Sequence, residues 1–209
     1  SFIFTDIGAS KEDLQDCLSV SVNQSFNRIT VDGDTSTNDA CTLTATNQSG
    51  VRLRDCLNDF QLALNEVTKK LAHMIVKDGE GATKFVEIRA SGLASSDDCL
   101  EVAYTVAHSP LVKTALFASD ANWGRILAAV GRSKVDGLVI ENINIYLNNL
   151  PIILAGELDE QYSEEAASAE MSKSEIVIRI EMGESSSSES VWTTDLSYDY
   201  VKINAEYRT

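Results

Sequence analysis

A dense polar segment after a short apolar stretch constrains the fold of this chain more than any other feature. Residues 32–39 carry three carboxylates, three hydroxyls and an amide, directly after residues 29–31. Such a segment can enter a core only if every polar group finds a hydrogen-bond partner. The pattern therefore favours either a solvated turn closed by Asx-type side-chain bonds or a polar loop that a rigid scaffold presents for function.

A calcium-binding loop is the first chemical interpretation of this segment, and the spacing excludes it. Asp32, Asp34 and Ser36 occupy the first, third and fifth positions of an EF-hand count. The sixth position is then Thr37, where the sharp turn needs glycine, and the twelfth is Leu43, where the ion needs a bidentate glutamate. We therefore expect no metal site here.

The acidic balance of the chain limits its partners. Its 209 residues carry a formal net charge of −15, and the sequence pI is near 4.4. Nucleic acids and anionic membrane surfaces both require a basic face, so we expect neither as a partner. No apolar run reaches the roughly 20 residues that cross a bilayer, and a cytoplasmic location is the expectation.

The cysteines and histidines show no spacing typical of a metal centre. The four cysteines form no C-x-x-C pair, and the two histidines are far apart in the sequence. We expect buried thiols in a reducing compartment and structural rather than catalytic histidines. These residues are Cys17, Cys41, Cys56, Cys99, His73 and His108.

Periodicity predicts several helices. Ser10 and Asp13 are expected to form a capping box at the start of the first helix, and either Ser95 or Ser96 is expected to cap a helix that Pro110 ends. A long amphipathic helix is predicted from about residue 50 to 76. Its buried face is expected to contain Cys56, Phe60, Leu64, Val67, Leu71 and Ile75. Further helices are predicted at 122–130 and 159–171.

Alternating apolar residues predict the strands between these helices. They are expected at residues 1–6, 41–45, 84–90, 142–147, 150–154, 175–181 and 191–198, with a serine-rich loop at 184–190. Asn148 and Asn149 are expected to form a hairpin turn between the fourth and fifth of these strands. The mixture is typical of α/β or α+β layers, with a boundary near residues 91–92.

Four segments lie in one order along the chain, and each is longer than a typical short motif. They are NRITVDGDTSTND (27–39), DGEGATK (78–84), SDANWGRIL (119–127) and DYVKINAEYRT (199–209). Together they resemble the ornithine acetyltransferase family, the bifunctional glutamate N-acetyltransferases of arginine biosynthesis. The chain resembles the C-terminal, or β, chain of such an enzyme.

The resemblance implies an architecture. The family fold is a four-layer αββα sandwich that α and β chains share, plus a smaller C-terminal α/β domain. Residues 1–91 would then belong to the shared catalytic domain, 92–198 to the smaller domain, and 199–209 to a tail that returns to the active site. The α chain comes from the same precursor, and an α2β2 heterotetramer is expected.

The resemblance also implies the chemistry. The family precursor cuts itself before a threonine, which becomes the first β-chain residue and accepts the acetyl group. This nucleophile is expected just upstream of Ser1, so no catalytic residue is expected within the 209 residues. Ser1 itself is the weaker alternative, because the alignment places it beyond the cut. An N-terminal threonine needs no histidine, since its own α-amine, with a pKa of roughly 7.7–8.0, can take the hydroxyl proton.

Substrates and partners follow from the same resemblance. Acetyl passes from N-acetylornithine to the threonine, ornithine leaves, and glutamate then accepts the acetyl group. Some family members also use acetyl-CoA as a co-substrate, and no other cofactor is implied. The oxyanion hole and a substrate-binding lysine belong to the α chain.

Three substrate-binding residues are expected in this chain. Taken alone, Glu80 between two glycines indicates a helix-ending turn with a solvated acid, although a carboxylate there can hold a substrate amino group. The resemblance implies the second role for Glu80 and substrate contacts for Asn204 and Thr209. A buried acid is a candidate partner for Arg125. Structural or supporting roles are expected for Asp32, Asp34, Thr35 and Asn38.

Two other functions stay open from the sequence. The first is an N-terminal nucleophile amidase or aminopeptidase, in which water rather than an amino acid enters the acyl-enzyme. The second is a non-catalytic acidic binding module, which would be stable alone and would transfer no acetyl group. A strand at the very start of the chain argues against the module, because an unpartnered edge strand invites aggregation.

Overall fold

The computed structural model describes residues 1–207, which form two compact units. The first unit contains residues 1–29 and 34–75, and the second contains residues 30–33 and the chain from Val76 onward. Both contain helices and strands, so the predicted α/β class is confirmed. None of the helices within residues 1–207 has the length and apolar content that crossing a bilayer requires.

The first unit is built on a two-stranded parallel sheet. Its elements are β1 (Phe2–Thr5), α1 (Lys11–Asn23), β2 (Thr42–Ala45) and α2 (Leu57–Lys77), with 3₁₀ turns at Phe26–Arg28 and Leu53–Asp55. The predicted capping box is confirmed, since Ser10 Oγ accepts from Asp13 N at 3.1 Å and donates to Asp13 Oδ2 at 2.7 Å. A small core forms around Ile7, Cys17, Leu53 and Leu64.

The buried face of α2 differs from the prediction. Leu64, Thr68 and Ala72 are buried at steps of four, whereas the predicted core residues Val67 and Ile75 are 45% and 47% exposed. Thr68 tolerates burial because its hydroxyl donates to the carbonyl of Leu64 at 2.9 Å. Val67 and Ile75 are therefore not part of the core of the described chain.

The second unit contains a six-stranded mixed sheet. Its strands are β3 (Phe85–Ser91), β4 (Asn144–Leu147), β5 (Leu150–Leu154), β6 (Glu157–Leu158), β7 (Glu175–Glu181) and β8 (Ser188–Thr194), in the order β6-β5-β4-β7-β3-β8. Only the β3–β7 pair is parallel among these described strands. The predicted hairpin turn is present, with Asn148 at φ +55° between β4 and β5.

The position of β3 moves the boundary between the compact units. We expected a division near residue 91, but it falls between Ile75 and Val76. The reason is that β3 pairs with β7 and β8 along its whole length, so it lies inside the second unit's sheet. The four-layer sandwich and its sharing with another chain stay predictions.

Five helices accompany this sheet. They are α3 (Ser96–Ala107), α4 (Pro110–Phe117), α5 (Trp123–Gly131), α6 (Glu164–Met171) and α7 (Tyr198–Glu206). Helix α3 packs on β3 and β8, and the shared core includes Ile88, Val102 and Ile178. Pro110 begins α4 after the end of α3, since proline suits a first helical turn and Ser109 supplies the cap.

The end of the described chain also differs from the prediction. The strand expected at 191–198 is β8, which begins three residues earlier and ends at Thr194. Ser188 begins β8 because its backbone continues the ladder opposite Ser91 of β3. The following residues turn into α7, whose cap is Ser197.

Candidate functional site

The loop that carries Glu80 lies in the second unit, between α2 and β3. Glu80 is exposed, and the next residue, Gly81, has φ +65°. A Cβ atom at Gly81 would lie 2.5 Å from the backbone nitrogen of Tyr200 and 2.7 Å from Ser197 Oγ. We expected these glycines to let a ligand approach the backbone. In the structure, the start of α7 makes that close approach to Gly81.

A buried carboxylate fixes the second half of this loop. Asp195 follows β8 directly and is 3% exposed. Its Oδ1 accepts from the backbone nitrogens of Thr83 at 2.8 Å and Lys84 at 2.9 Å, and its Oδ2 accepts from Thr83 Oγ1 at 2.6 Å. Three bonds satisfy a charge that would otherwise be costly to bury.

One hydroxyl connects the loop to helix α7. Ser197 Oγ donates to the carbonyl of Gly81 at 2.7 Å and accepts from Tyr200 N at 3.1 Å, so it is also the α7 cap. One turn into the helix, Asn204 Nδ2 donates to the carbonyl of Tyr200 at 2.9 Å. The two predicted substrate-binding residues that the structure describes, Glu80 and Asn204, are therefore linked through Ser197.

Part of the 27–39 segment belongs to the same unit. Thr30 N donates to the carbonyl of Trp192 at 3.0 Å, and Thr30 Oγ1 lies 3.1 Å from His108 Nε2. Asp32 Oδ2 accepts from the hydroxyl of Tyr200 at 2.9 Å, which adds another contact to α7. Burial, followed by nearby Lys113 and other cations, lowers the pKa of His108.

Two buried lysines flank Asp195. Lys113 Nζ donates to Thr193 Oγ1 at 2.9 Å and to the carbonyl of Thr194. Burial lowers the pKa of Lys113 to about 8, although Asp195 and then Asp32 oppose the shift. Burial likewise lowers the pKa of Lys84, with Asp195 opposing it.

Sequence reasoning missed these groups. Lys84 Nζ donates to Ser119 Oγ at 2.7 Å and to the carbonyl of Met171. The available signal for Lys113 was its position inside the apolar run 111–117, where a charge needs partners. The bonds of Asp195 and Ser197 to the Glu80 loop gave no signal in the sequence, because those partners lie 112 and 116 positions away.

The first unit contains a cavity of about 580 Å³ beside the start of β1. It combines apolar side chains with hydroxyls and two carboxylates. The lining residues are Ser1, Val22, Phe26, Asn27, Ile29, Asp34, Thr35, Ser36, Asp39, Ala40, Cys41 and Ile75. Among residues 1–207, no three His, Cys, Asp or Glu side chains form a group that could hold a metal ion.

The polar loop on this cavity is closed by its own side chains. Ser36 Oγ accepts from the backbone nitrogens of Asn38 at 3.3 Å and Asp39 at 3.2 Å. The backbone nitrogen of Ser1 donates to the carbonyl of Ala40 at 2.8 Å. The segment thus combines the self-bonded turn with a position on a cavity wall.

Two further residues considered from the sequence are Arg125 and Thr209. Arg125 Nη1 donates to the carbonyl of Leu111 at 2.9 Å and to Thr114 Oγ1 at 3.3 Å. No acidic side chain among residues 1–207 forms an ion pair with Arg125, so the acidic partner that we considered is not found there. Thr209 lies outside the described residues, and its substrate contact stays a prediction.

Comparisons with known protein families, sequences and structures all identify similarity to the same family. The sequence profile of the ArgJ family matches residues 1–209. The chain is 51% identical to the arginine biosynthesis bifunctional protein ArgJ of Pseudomonas syringae pv. tomato and 50% identical to that of Pseudomonas fluorescens. In both cases the match covers 100% of this chain and 53% of the relative, so the chain spans about half the length of these curated relatives.

A solved structure matches the fold. It is the crystal structure of arginine biosynthesis bifunctional protein ArgJ from Bacillus halodurans, with a TM-score of 0.89 and 36% sequence identity. The match covers 99% of this chain and 98% of that chain.

Proposed function

Because the chain belongs to the ArgJ family, we propose that it is the β-chain half of an acetyltransferase that moves acetyl from N-acetylornithine to glutamate in arginine biosynthesis. The observation that carries this proposal is the match of the whole chain to about half of relatives at 50–51% identity. The four segments on which the resemblance rests all lie within that match. The reducing cytoplasm is the proposed location, and the four free cysteines fit it.

The proposed nucleophile is a threonine just upstream of Ser1. Its hydroxyl attacks the acetyl carbonyl of N-acetylornithine while its own α-amine takes the hydroxyl proton. The bond between the acetyl carbon and the ornithine nitrogen breaks, and ornithine leaves with that proton. The amine of glutamate then attacks the threonine ester, which forms N-acetylglutamate and restores the hydroxyl. In some family members acetyl-CoA serves as a second donor.

The first unit's cavity suits this chemistry. Its volume of about 580 Å³ falls within the 300–1,000 Å³ typical of small-molecule sites. Asp34 and Asp39 on its wall would attract the ammonium groups of ornithine. Ser1 lines the same cavity, so a residue that precedes it would start from the cavity wall. The α chain would supply the donors that stabilise the oxyanion.

Substrate binding by Glu80, Asn204 and Thr209 completes the proposal. The carboxylate of Glu80 is exposed in the loop, and it could form a charge-assisted hydrogen bond with a substrate ammonium group. Asn204 is also exposed, and its bond to the carbonyl of Tyr200 uses the side-chain nitrogen rather than the side-chain oxygen. A substrate amine could use that oxygen.

An α chain from the same precursor is the proposed partner, in an α2β2 assembly. Parallel sheets in proteins are usually covered on both faces, and a two-stranded sheet has little stability by itself. Here β1 and β2 form such a pair, and Phe2 and Phe4 of β1 are 75% and 70% exposed. Further strands from the α chain would extend this sheet, and apolar side chains from the α chain would cover Phe2 and Phe4.

Intact-mass spectrometry of the protein made from the full gene tests this function. We expect two fragments, and the β fragment should begin with threonine and gain one acetyl group on incubation with N-acetylornithine. Glutamate should then remove that acetyl group as N-acetylglutamate. Release of free acetate without N-acetylglutamate would favour the hydrolase alternative, and a β fragment that never gains acetyl would favour the binding module.

A further inference from the structure

We propose that Asp195 and Ser197 are positioning residues that hold Glu80 and Asn204 as one substrate-binding unit. The inference rests on the proposed function for the roles of Glu80 and Asn204. Its structural part concerns residues 195–197, the strap between β8 and α7. Neither Asp195 nor Ser197 is expected to touch the substrate, since both are buried.

Asp195 anchors the strap to the Glu80 loop. Its carboxylate uses both oxygens on that loop, with two bonds to backbone nitrogens and one to the hydroxyl of Thr83. Bonds to a buried ionised acceptor are stronger than neutral ones, and loss of the acceptor leaves several donors without a partner. The loop's path from Thr83 into β3 therefore depends on Asp195.

Ser197 couples the loop to the helix. Its single hydroxyl donates on one side to Gly81, the neighbour of Glu80, and accepts on the other side from Tyr200. Asn204 bonds back to the same Tyr200. A shift of the α7 start would consequently move both predicted substrate-binding side chains together.

The packing leaves no room for the two parts to slide. A Cβ at Gly81 would be 2.5 Å from Tyr200 N and 2.9 Å from the carbonyl carbon of Asp199, both backbone atoms. The strap is also tied to α4, because Leu196 N donates to the carbonyl of Lys113 at 3.2 Å and Lys113 Nζ donates to Thr194. The strap is therefore held in place by α4, and the Glu80 loop is in direct contact with the start of α7.

Substrate recognition should depend on this link more strongly than protein stability does. Glycine is nearly as good a helix cap as serine, yet it lacks the hydroxyl that reaches Gly81. The Ser197→Gly variant therefore keeps most of the capping of α7 but removes the hydrogen bond that links α7 to the Glu80 loop. We expect its KM for glutamate to rise roughly tenfold to a hundredfold, because small misplacements of binding groups are costly, while Tm changes little.

The experiment uses the enzyme made from the full gene. Ser197→Gly and Asp195→Asn are compared with Ser197→Thr, which keeps the hydroxyl and should restore KM. The matched control is Ser163→Ala, which removes the cap of α6 (Ser163 Oγ accepts from Ala166 N at 3.4 Å) without a bond to the Glu80 loop. Its KM should equal that of the wild type. Glu80→Gln tests the binding role separately.

Hydrogen exchange supplies a readout that does not need activity. In Ser197→Gly, the peptides that cover residues 79–84 and 198–206 should both exchange faster, and those of Ser163→Ala should not change there. Faster exchange in α7 alone, or an unchanged KM in Ser197→Gly when Glu80→Gln is impaired, would overturn the positioning role. If the wild type transfers no acetyl group, the proposed function fails, and the exchange of the two peptides still decides whether the strap couples them.

Discussion

The buried side chain of Lys113 should make the free energy of unfolding depend on pH. It is 3% exposed, and burial lowers its pKa from 10.5 to about 8. Below pH 8 both the native and the unfolded lysine carry a proton, so the cost of burying the charge is fully present. Between pH 8 and 10.5 the native state binds fewer protons than the unfolded state, so stability rises with pH.

We predict that the Lys113→Met variant loses this pH dependence. Relative to the variant, the free energy of unfolding of the wild type should rise by on the order of 2–3 kcal/mol between pH 7 and pH 10. Urea unfolding at several pH values measures it. Lys134→Met, which removes an exposed lysine of the same unit, should follow the wild-type curve. A constant difference between wild type and Lys113→Met would contradict the prediction.

Gly81 is the second residue at which we predict an effect on stability, in this case from the addition of a single Cβ atom. Its φ of +65° and the 2.5 Å approach to Tyr200 N both oppose a side chain. Gly81→Ala should therefore lower the free energy of unfolding by roughly 2 kcal/mol or more. The control is Gly131→Ala at the end of α5, where an added Cβ meets nothing within 4 Å. That variant should be neutral or up to about 1 kcal/mol more stable, because alanine favours helix. Thermal unfolding compares the two variants, and equal Tm values for Gly81→Ala and Gly131→Ala would contradict the prediction.

At the scale of elements, the start of α3 resolves an ambiguity that the sequence left open. Both Ser95 and Ser96 were candidate caps, and the structure uses Ser95, whose Oγ accepts from Asp98 N at 3.1 Å. Ser95→Ala should cost about 1 kcal/mol of unfolding free energy, whereas Ser96→Ala should stay within about 0.5 kcal/mol. Chemical denaturation measures both variants. A larger effect at Ser96 would mean that α3 begins one residue later.

Local signals explain which elements the sequence could predict. The capping serines, the alternating strand β7 and the turn at Asn148 depend on neighbouring residues, and all three are confirmed. Val67 and Ile75 of α2 were predicted to lie in the core but are exposed, because periodicity identifies an apolar face without saying what covers it. Helix α7 was missed because residues 191–198 were predicted as one strand, which placed Ser197 inside a strand rather than at a helix cap.

In the candidate site, too, the sequence predicted the residues in local segments and missed those that act through distant partners. Glu80 and Asn204 were predicted by resemblance, from segments that can be read along the chain. The groups that hold them were not predicted. Asp195, Ser197 and Lys113 act through partners brought close only by the sheet, at separations of 80 or more positions. Pairings of that length depend on strand order, which the sequence alone did not provide.

At the scale of the whole molecule, the first unit is the part that we expect to associate with a partner. Its sheet has two described strands, and two phenylalanines of β1 are exposed. Burial of one such side chain contributes roughly 1.5–3 kcal/mol, so covering both would strongly favour association with the proposed α chain. The sheet of the second unit has six strands and a large core of its own.

We therefore predict that the α chain protects β1 and β2 from hydrogen exchange. The comparison is between the 209-residue chain expressed alone and the enzyme made from the full gene. Peptides covering 2–5 and 42–45 should exchange at least about a hundredfold more slowly in the full enzyme, because a two-stranded sheet opens easily. The edge strand β6 in the second unit serves as the internal control and should exchange similarly in both samples. Equal exchange of β1 in the two samples would show that the α chain does not extend this sheet, and would leave Phe2 and Phe4 as a surface for some other contact.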